Sequence, residues 1–186
     1  MNKTQKLRQD VGERALGNAA AGFTLVELMV TVAVLAILIT LAVPSFRDLL
    51  SNSRSATLTN ELVFSLKLAR SEAIKRGVFT EVCPRANAEA ATCSASADDW
   101  SNGWVVRITE GCIDDCEVLY DSRQGVPSHE VRYGQTRVPF DRSGRLLGSI
   151  GGTFTICDPA VKTSARRVVL SGSGRTRLVR LEEGCA

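Results

Sequence analysis

The sequence predicts an α+β fold in which one long N-terminal helix packs on an antiparallel β-sheet domain. Three observations carry that expectation. From Leu28 to Val43 sixteen residues pass without a charge, an apolar run that reaches bilayer length when counted from Phe23. From Leu58 to Ala73 the apolar residues Leu58, Leu62, Leu66, Ala69 and Ala73 recur at spacings of three and four, the period of a helix with one buried face. Beyond Gly77 the chain changes to short β-branched and aromatic runs separated by Gly, Ser, Asn and Asp, which read as strands and turns.

Taken in order, residues 1–22 form a basic leader. Lys3, Lys6, Arg8 and Arg14 outnumber Asp10 and Glu13, and a basic segment before an apolar run stays cytoplasmic by the positive-inside rule. In a secretory signal the small residues of the cut site follow the apolar stretch. Here Ala19, Ala20 and Ala21 precede it, so the hydrophobic helix of residues 23–46 is retained as a membrane anchor. Residues 47–77 form its amphipathic half, Pro44 removes one backbone donor near the junction, and Gly77 supplies a helix stop. Residues 78–186 form a β-rich globular domain. Its predicted strands are Val78–Cys83, Gly103–Thr109, Glu117–Asp121, Glu130–Tyr133, Arg137–Phe140, Gly152–Cys157, Arg166–Leu170 and Thr176–Leu181.

All six cysteines, Cys83, Cys93, Cys112, Cys116, Cys157 and Cys185, lie beyond the apolar segment. An even number in an extracytoplasmic domain reads as three disulfides, with fifteen pairings open. Sequential pairs, 83–93, 112–116 and 157–185, are expected because each closes a local loop around turn-forming residues. Zinc is the competing reading, but there is no C-x-x-C spacing and His129 is the sole histidine. No metal and no cofactor are therefore expected.

A catalytic set does not emerge. His129 has no serine or cysteine partner that the sequence can justify, and reads as a surface histidine. Asp114, Asp115 and Glu117 lack the glycine and spaced acids of a calcium loop and read as a solvated turn. Ser171-Gly172-Ser173-Gly174 lacks the Lys-Ser/Thr of a phosphate-binding loop and reads as a tight turn between strands. Trp104, opening a strand, is expected in the core, whereas Trp100 reads equally as core or surface.

The carboxylate at Glu27 is the exception inside the apolar run, where an unpaired charge is costly and a partner elsewhere is implied. Gly22, Phe23 and Glu27 stand in register with the run that follows, and the pattern closely resembles the N-terminus of type IV prepilins and type II secretion pseudopilins. That resemblance implies cleavage after Gly22 by a prepilin peptidase, N-methylation of Phe23 and a role for Glu27 in assembly with other pilin subunits. Three further stretches, Leu68–Gly77, Asp99–Val106 and Ser171–Arg177, are similar to the GspH/FimT branch. It comprises minor pilins and secretion pseudopilins with a type IV pilin-like fold, and implies a pilus or pseudopilus subunit. A membrane-anchored enzyme is the remote alternative.

Charge is segregated along the domain. Residues 81–122 hold two basic and nine acidic side chains, whereas residues 123–180 hold eleven basic and three acidic ones. Ten of those eleven are arginines: Arg123, Arg132, Arg137, Arg142, Arg145, Arg166, Arg167, Arg175, Arg177 and Arg180. Their guanidinium forks suit phosphate oxygens. Such polarity reads either as an acidic face meeting a basic face in a neighbouring subunit, or as a basic face meeting DNA. Gly174, Arg175 and Arg177 match a Gly-Arg-x-Arg element that, in FimT-type pilins, is implicated in DNA capture; the two arginines are two apart and share a face in a strand.

Overall fold

The computed structural model describes residues 22–87, 91–112, 116–122, 128–148 and 151–181. The expected leader, Arg123, Asp114, Asp115 and Cys185 thus fall outside the described residues, except for Gly22 at the leader's end. The chain divides into two compact units, one ending at Leu41 and the other beginning at Ala42.

Helix α1 spans Leu25–Arg76 and runs through Pro44. In the first unit it begins with a cap: the Glu27 amide, a first-turn donor with no intrahelical acceptor, donates to Thr24 Oγ1 at 3.2 Å, and the Leu28 amide makes the first intrahelical bond, to the Thr24 carbonyl. Thr31 and Thr40 return their hydroxyl protons to the carbonyls of Leu28 and Ile37, so neither leaves a polar group unmatched among apolar neighbours. An 18-residue window of this segment has a mean hydropathy of 2.6, and none of it is buried.

In the second unit the remaining part of α1 buries Ser51, Ser55, Leu58, Thr59, Leu62, Ser65, Leu66, Ala69 and Ala73, the stripe expected from the spacing. The helix stops at Gly77, whose φ of +66° is cheap only for glycine. The Val78 amide then reaches back to the Ala73 carbonyl at 3.2 Å, the six-to-one bond of a Schellman motif.

Strands β1 (Thr80–Pro84), β2 (Trp104–Ile108), β3 (Val118–Asp121) and β5 (Val138–Phe140) form one antiparallel sheet in the order β3-β2-β1-β5. Strands β4 (Glu130–Arg132), β6 (Gly151–Asp158), β7 (Val161–Ser171) and β8 (Thr176–Arg180) form a second, in the order β4-β6-β7-β8. All eight expected strands are present, within two residues of their predicted bounds except that β7 begins five residues earlier, and they divide between two sheets. The segment before β2 folds as a 3-10 helix, Ala97–Asn102.

The helix stripe meets Val82, Trp100, Trp104, Val106, Phe140, Phe154, Ile156, Val168 and Leu170 in one apolar core. Trp104 is fully buried and its Nε1 donates to Ser65 Oγ at 2.8 Å. Trp100 is also core: its ring meets Phe154 and Tyr133 edge-on, and its Nε1 donates to the Gln135 carbonyl. Burying these indoles is tolerable because each N–H finds an acceptor. His129 corrects the surface expectation, being only 3% exposed. Its Nε2 lies 3.2 Å from the Ser51 carbonyl and its Nδ1 3.0 Å from Ser128 Oγ, so a ring flanked by two polar partners can leave water.

Cys83 is bonded to Cys93 and Cys112 to Cys116, with Cα separations of 5.5 and 5.2 Å. Cys157 is also disulfide-bonded; its expected partner, Cys185, lies outside the described residues. Glu81, Cys83 and Cys93 offer three potential ligand atoms close together. With both sulfurs held in a disulfide, the thiolates that a metal would need do not exist there.

Candidate functional site

Two regions hold the residues that the sequence singles out. The first is the start of α1. Phe23 is 74% exposed, and from Gly22 to Leu50 every described side chain faces outward. Glu27 sits in the first helical turn, where a carboxylate complements the positive end of the helix dipole. Among the described residues its carboxylate has no hydrogen-bond or ion-pair partner, and only its backbone amide is engaged, by the Thr24 cap. Thr24-x-x-Glu27 has the spacing of a capping box, but only the threonine half of it is made. It does not give the charge a counter-ion.

The second region is the β7–β8 end of the second sheet. Strand β7 leaves the sheet at Ser171 and β8 returns at Thr176, as the turn reading of Ser171–Gly174 anticipates. The Gly174 amide donates to the Ser171 carbonyl at 2.8 Å and the Ser171 amide to the Arg175 carbonyl at 2.9 Å. Gly174 has φ +73°, and a Cβ there would lie 2.4 Å from the Gly144 carbonyl oxygen, so this corner excludes larger residues. An equivalent turn stands against it: the Gly144 amide donates to the Asp141 carbonyl and the Asp141 amide to the Arg145 carbonyl. Arg70 of α1 reaches the Gly144 carbonyl through Nε at 3.1 Å, tying this turn to the helix. Hydrogen bonds from Ser143 and the Arg145 amide hold the Asp141 carboxyl below its ordinary pKa.

Arg177 lies in β8 opposite Val169, and Arg175 stands at the end of the turn, just before β8 begins. Both are exposed. Arg177 shares a shallow trough of about 440 Å³ with Thr153, Thr155, Arg167, Val169 and Val179. A second depression, about 480 Å³, includes Arg132 and shares Thr153 and Thr155 with the first. Thr153, Thr155, Arg132 and Arg167 belong to this surface, although the sequence reading did not group them. Their signal was the strand alternation, since each lies opposite in parity to a buried neighbour such as Phe154, Val168 or Val131.

The fold pairs much of the charge that is segregated along the sequence. Glu81, 4% exposed, accepts from Arg107 at 2.7 Å and from Arg137 at 3.1 Å. Buried Arg85 pairs with Asp121 at 3.2 Å, Arg76 with Glu117 at 2.8 Å, and Arg142 with Glu110. Among the described residues the side chains of Arg145, Arg166, Arg167, Arg175, Arg177 and Arg180 have no such acidic partner. Five of these six lie on β7, β8 or the turn joining them. Positive charge is therefore uncompensated where Arg175 and Arg177 stand, and not across the whole basic block.

Comparison with known proteins agrees with this architecture. A family profile described as type II transport protein GspH matches residues 58–174, and one described as the prokaryotic N-terminal methylation motif matches residues 17–43. The chain is 33% identical over 75 residues to a type IV major alpha-pilin of Moraxella bovis, covering 40% of this chain and 44% of that one. It is 42% identical over 45 residues to fimbrial protein Q of the same organism, covering 24% and 29%. The chain thus spans less than half the length of these curated relatives. Two crystal structures of the type IV minor pilin FimU of Pseudomonas aeruginosa share the fold. One is 18% identical with a TM-score of 0.54, covering 68% of this chain and 89% of that one. The other is 19% identical with a TM-score of 0.53, covering 67% and 91%.

Proposed function

This chain belongs to the GspH family, and from that membership we propose that it is a minor type IV pilin or pseudopilin, held in the bacterial inner membrane until it is built into a pilus or secretion pseudopilus. The observation that carries the reading is the first half of α1. A run of outward-facing, predominantly apolar side chains from Phe23 to Leu41, in which Glu27 is the sole charge, is unstable in water and calls for either lipid or other helices. The basic leader holds the N-terminal end in the cytoplasm and leaves the globular domain periplasmic.

In this scheme a prepilin peptidase cuts between Gly22 and Phe23, the new Phe23 amine is methylated, and the Glu27 carboxylate pairs with the N-terminal amine of a neighbouring subunit. The unpartnered Glu27 charge at the start of the helix supports that pairing, because desolvating it within a helical bundle requires a cation. Gly22→Val places a branched side chain at the cut site; the product should be a precursor about 2 kDa heavier, by intact-mass measurement. Glu27→Leu should enter the membrane at least as readily as the parent, yet fall several-fold in sheared filaments. A native-host protein that still begins at Met1, or a Glu27→Leu variant present at the parental level in filaments, would remove the respective step.

A second reading, capture of DNA by the globular domain, is favoured by one observation: the uncompensated arginines concentrate on β7, β8 and their turn. Exposed guanidinium groups around Arg175 and Arg177 suit backbone phosphates and carry no base preference.

A further inference from the structure

The helix-facing side of the same β-hairpin holds a different arrangement. Arg166 of β7 and Arg180 of β8 are register partners, and like charges directly opposite on a sheet destabilise it. Arg166 donates from Nη2 to Asn52 Oδ1 of α1 at 2.9 Å, while its Nε is buried with no acceptor. Burial and the nearby Arg180 both lower the Arg166 pKa. A cleft of about 250 Å³ opens here, lined by Thr59, Arg166, Leu178, Val179 and Arg180, with no carboxylate among them. Leu178 lies opposite Val168, which is fully buried, yet Leu178 itself is 52% exposed. The reason is its position: β8 is the last strand of its sheet, so the apolar face that covers Val168 ends before reaching Leu178.

We propose that this cleft between α1 and the β8 edge receives an acidic, extended segment of a neighbouring filament subunit, added to the sheet as a further strand. Its carboxylate sits between Arg166 and Arg180 and supplies the acceptor that Arg166 Nε lacks; an apolar side chain of the same segment covers Leu178. Leu178 and Arg180 are two apart on one face, so the matching residues of the incoming strand are also two apart, apolar and acidic. Charge complementarity sets the partner's chemistry: two opposed cations and an exposed leucine admit an acid beside an apolar group. Strand addition at an open edge supplies affinity through backbone bonds while alternate side chains supply choice of partner. The inference rests on the filament reading for the partner's origin.

The test uses the full-length chain in filament-assembling cells of its native host, with the photo-crosslinking residue p-benzoylphenylalanine at Leu178. A control chain carries it at Val118, which is 41% exposed on β3. Leu178 should yield an adduct with another filament subunit, mapping to a peptide with an acidic residue two positions from an apolar one. Arg180→Glu should reduce that adduct about tenfold, as expected when a paired interfacial charge is reversed, and Arg180→Lys should retain it. Four results would each overturn the proposal: an adduct confined to the chain's own C-terminal segment, one mapping to a peptide without an acid, one insensitive to Arg180→Glu, or none above the Val118 control. Incorporation into sheared filaments is measured on the same cells. A chain absent from filaments refutes the filament reading, and a chain present without the Leu178 adduct refutes only the strand addition.

Discussion

Tyr120 donates its hydroxyl proton to Glu61 of α1 at 2.9 Å, and burial first, then that carboxylate, pushes its pKa up to about 12. A phenol whose folded pKa exceeds its unfolded one stabilises the fold fully below the unfolded value of about 10. The contribution is lost as pH rises toward the folded value. The chain should therefore lose stability between about pH 10 and pH 12, and Tyr120→Phe should flatten that part of a denaturation-against-pH curve while lowering the plateau at pH 7. The hydrogen-bond loss should cost roughly 0.5–1.5 kcal/mol. Glu61 was not visible in the sequence as a partner for strand β3, because a helical glutamate 59 residues away carries no local signal. His129 was misjudged for the same reason: its burial depends on the Ser51 carbonyl, far along the chain. The N-terminal methylation motif was legible because Gly22, Phe23 and Glu27 sit in one short register with the apolar run.

Among the elements, the paired turns Asp141–Arg145 and Ser171–Arg175 impose the tightest local requirement. Gly174→Ala combines a left-handed backbone with a Cβ driven against the Gly144 carbonyl. Gly148→Ala meets the same backbone penalty at φ +62° with open space around it. The first should destabilise the full-length protein in detergent by more than the second, which should cost about 1–3 kcal/mol; urea unfolding of the two variants decides it. The turn itself was legible from Ser171-Gly-Ser-Gly, as were the eight strands, since each β-branched cluster is bounded by small or polar residues. The division into two sheets was not, because strand order depends on long-range pairing that periodicity does not report. The start of β7 was not legible: Lys162, Thr163 and Ser164 are polar and carry no apolar alternation, yet they fall within the strand.

Among the described residues, charge that is segregated in the sequence becomes partly paired in the fold. Glu81, Glu110 and Asp121 are held by Arg107, Arg137, Arg142 and Arg85, so the acidic block does not survive intact as an exposed surface. Linear charge counting overstated polarity because it ignores which side chains meet. What remains is concentrated on β7, β8 and their turn, and that is where DNA capture would be tested. Arg175→Gln together with Arg177→Gln should weaken binding of the protein to any duplex. The log–log salt slope should fall by about 1.8, or roughly 0.9 for each lost phosphate contact, with stability changed by less than about 0.5 kcal/mol. Anisotropy titrations at several salt concentrations measure both. No binding by the parent at low salt, or an unchanged slope in the variant, would leave these arginines without a DNA role.

The buried face of α1 mixes hydroxyls with leucines, and its polar contacts are spread along the helix. Ser51 donates to Asp158, Asn52 accepts from Arg166, Ser65 accepts from Trp104, the Ala69 carbonyl accepts from Thr80, and Arg70 donates to the Gly144 carbonyl. A stripe of leucines alone could slide by one turn, about 5.4 Å, and find similar neighbours. Here such a slip would break five hydrogen bonds together and leave buried polar groups unmatched. The helix is therefore indexed against the sheets like a toothed rack, and an axial pull on one would pass to the other as shear on these contacts instead of gradual creep.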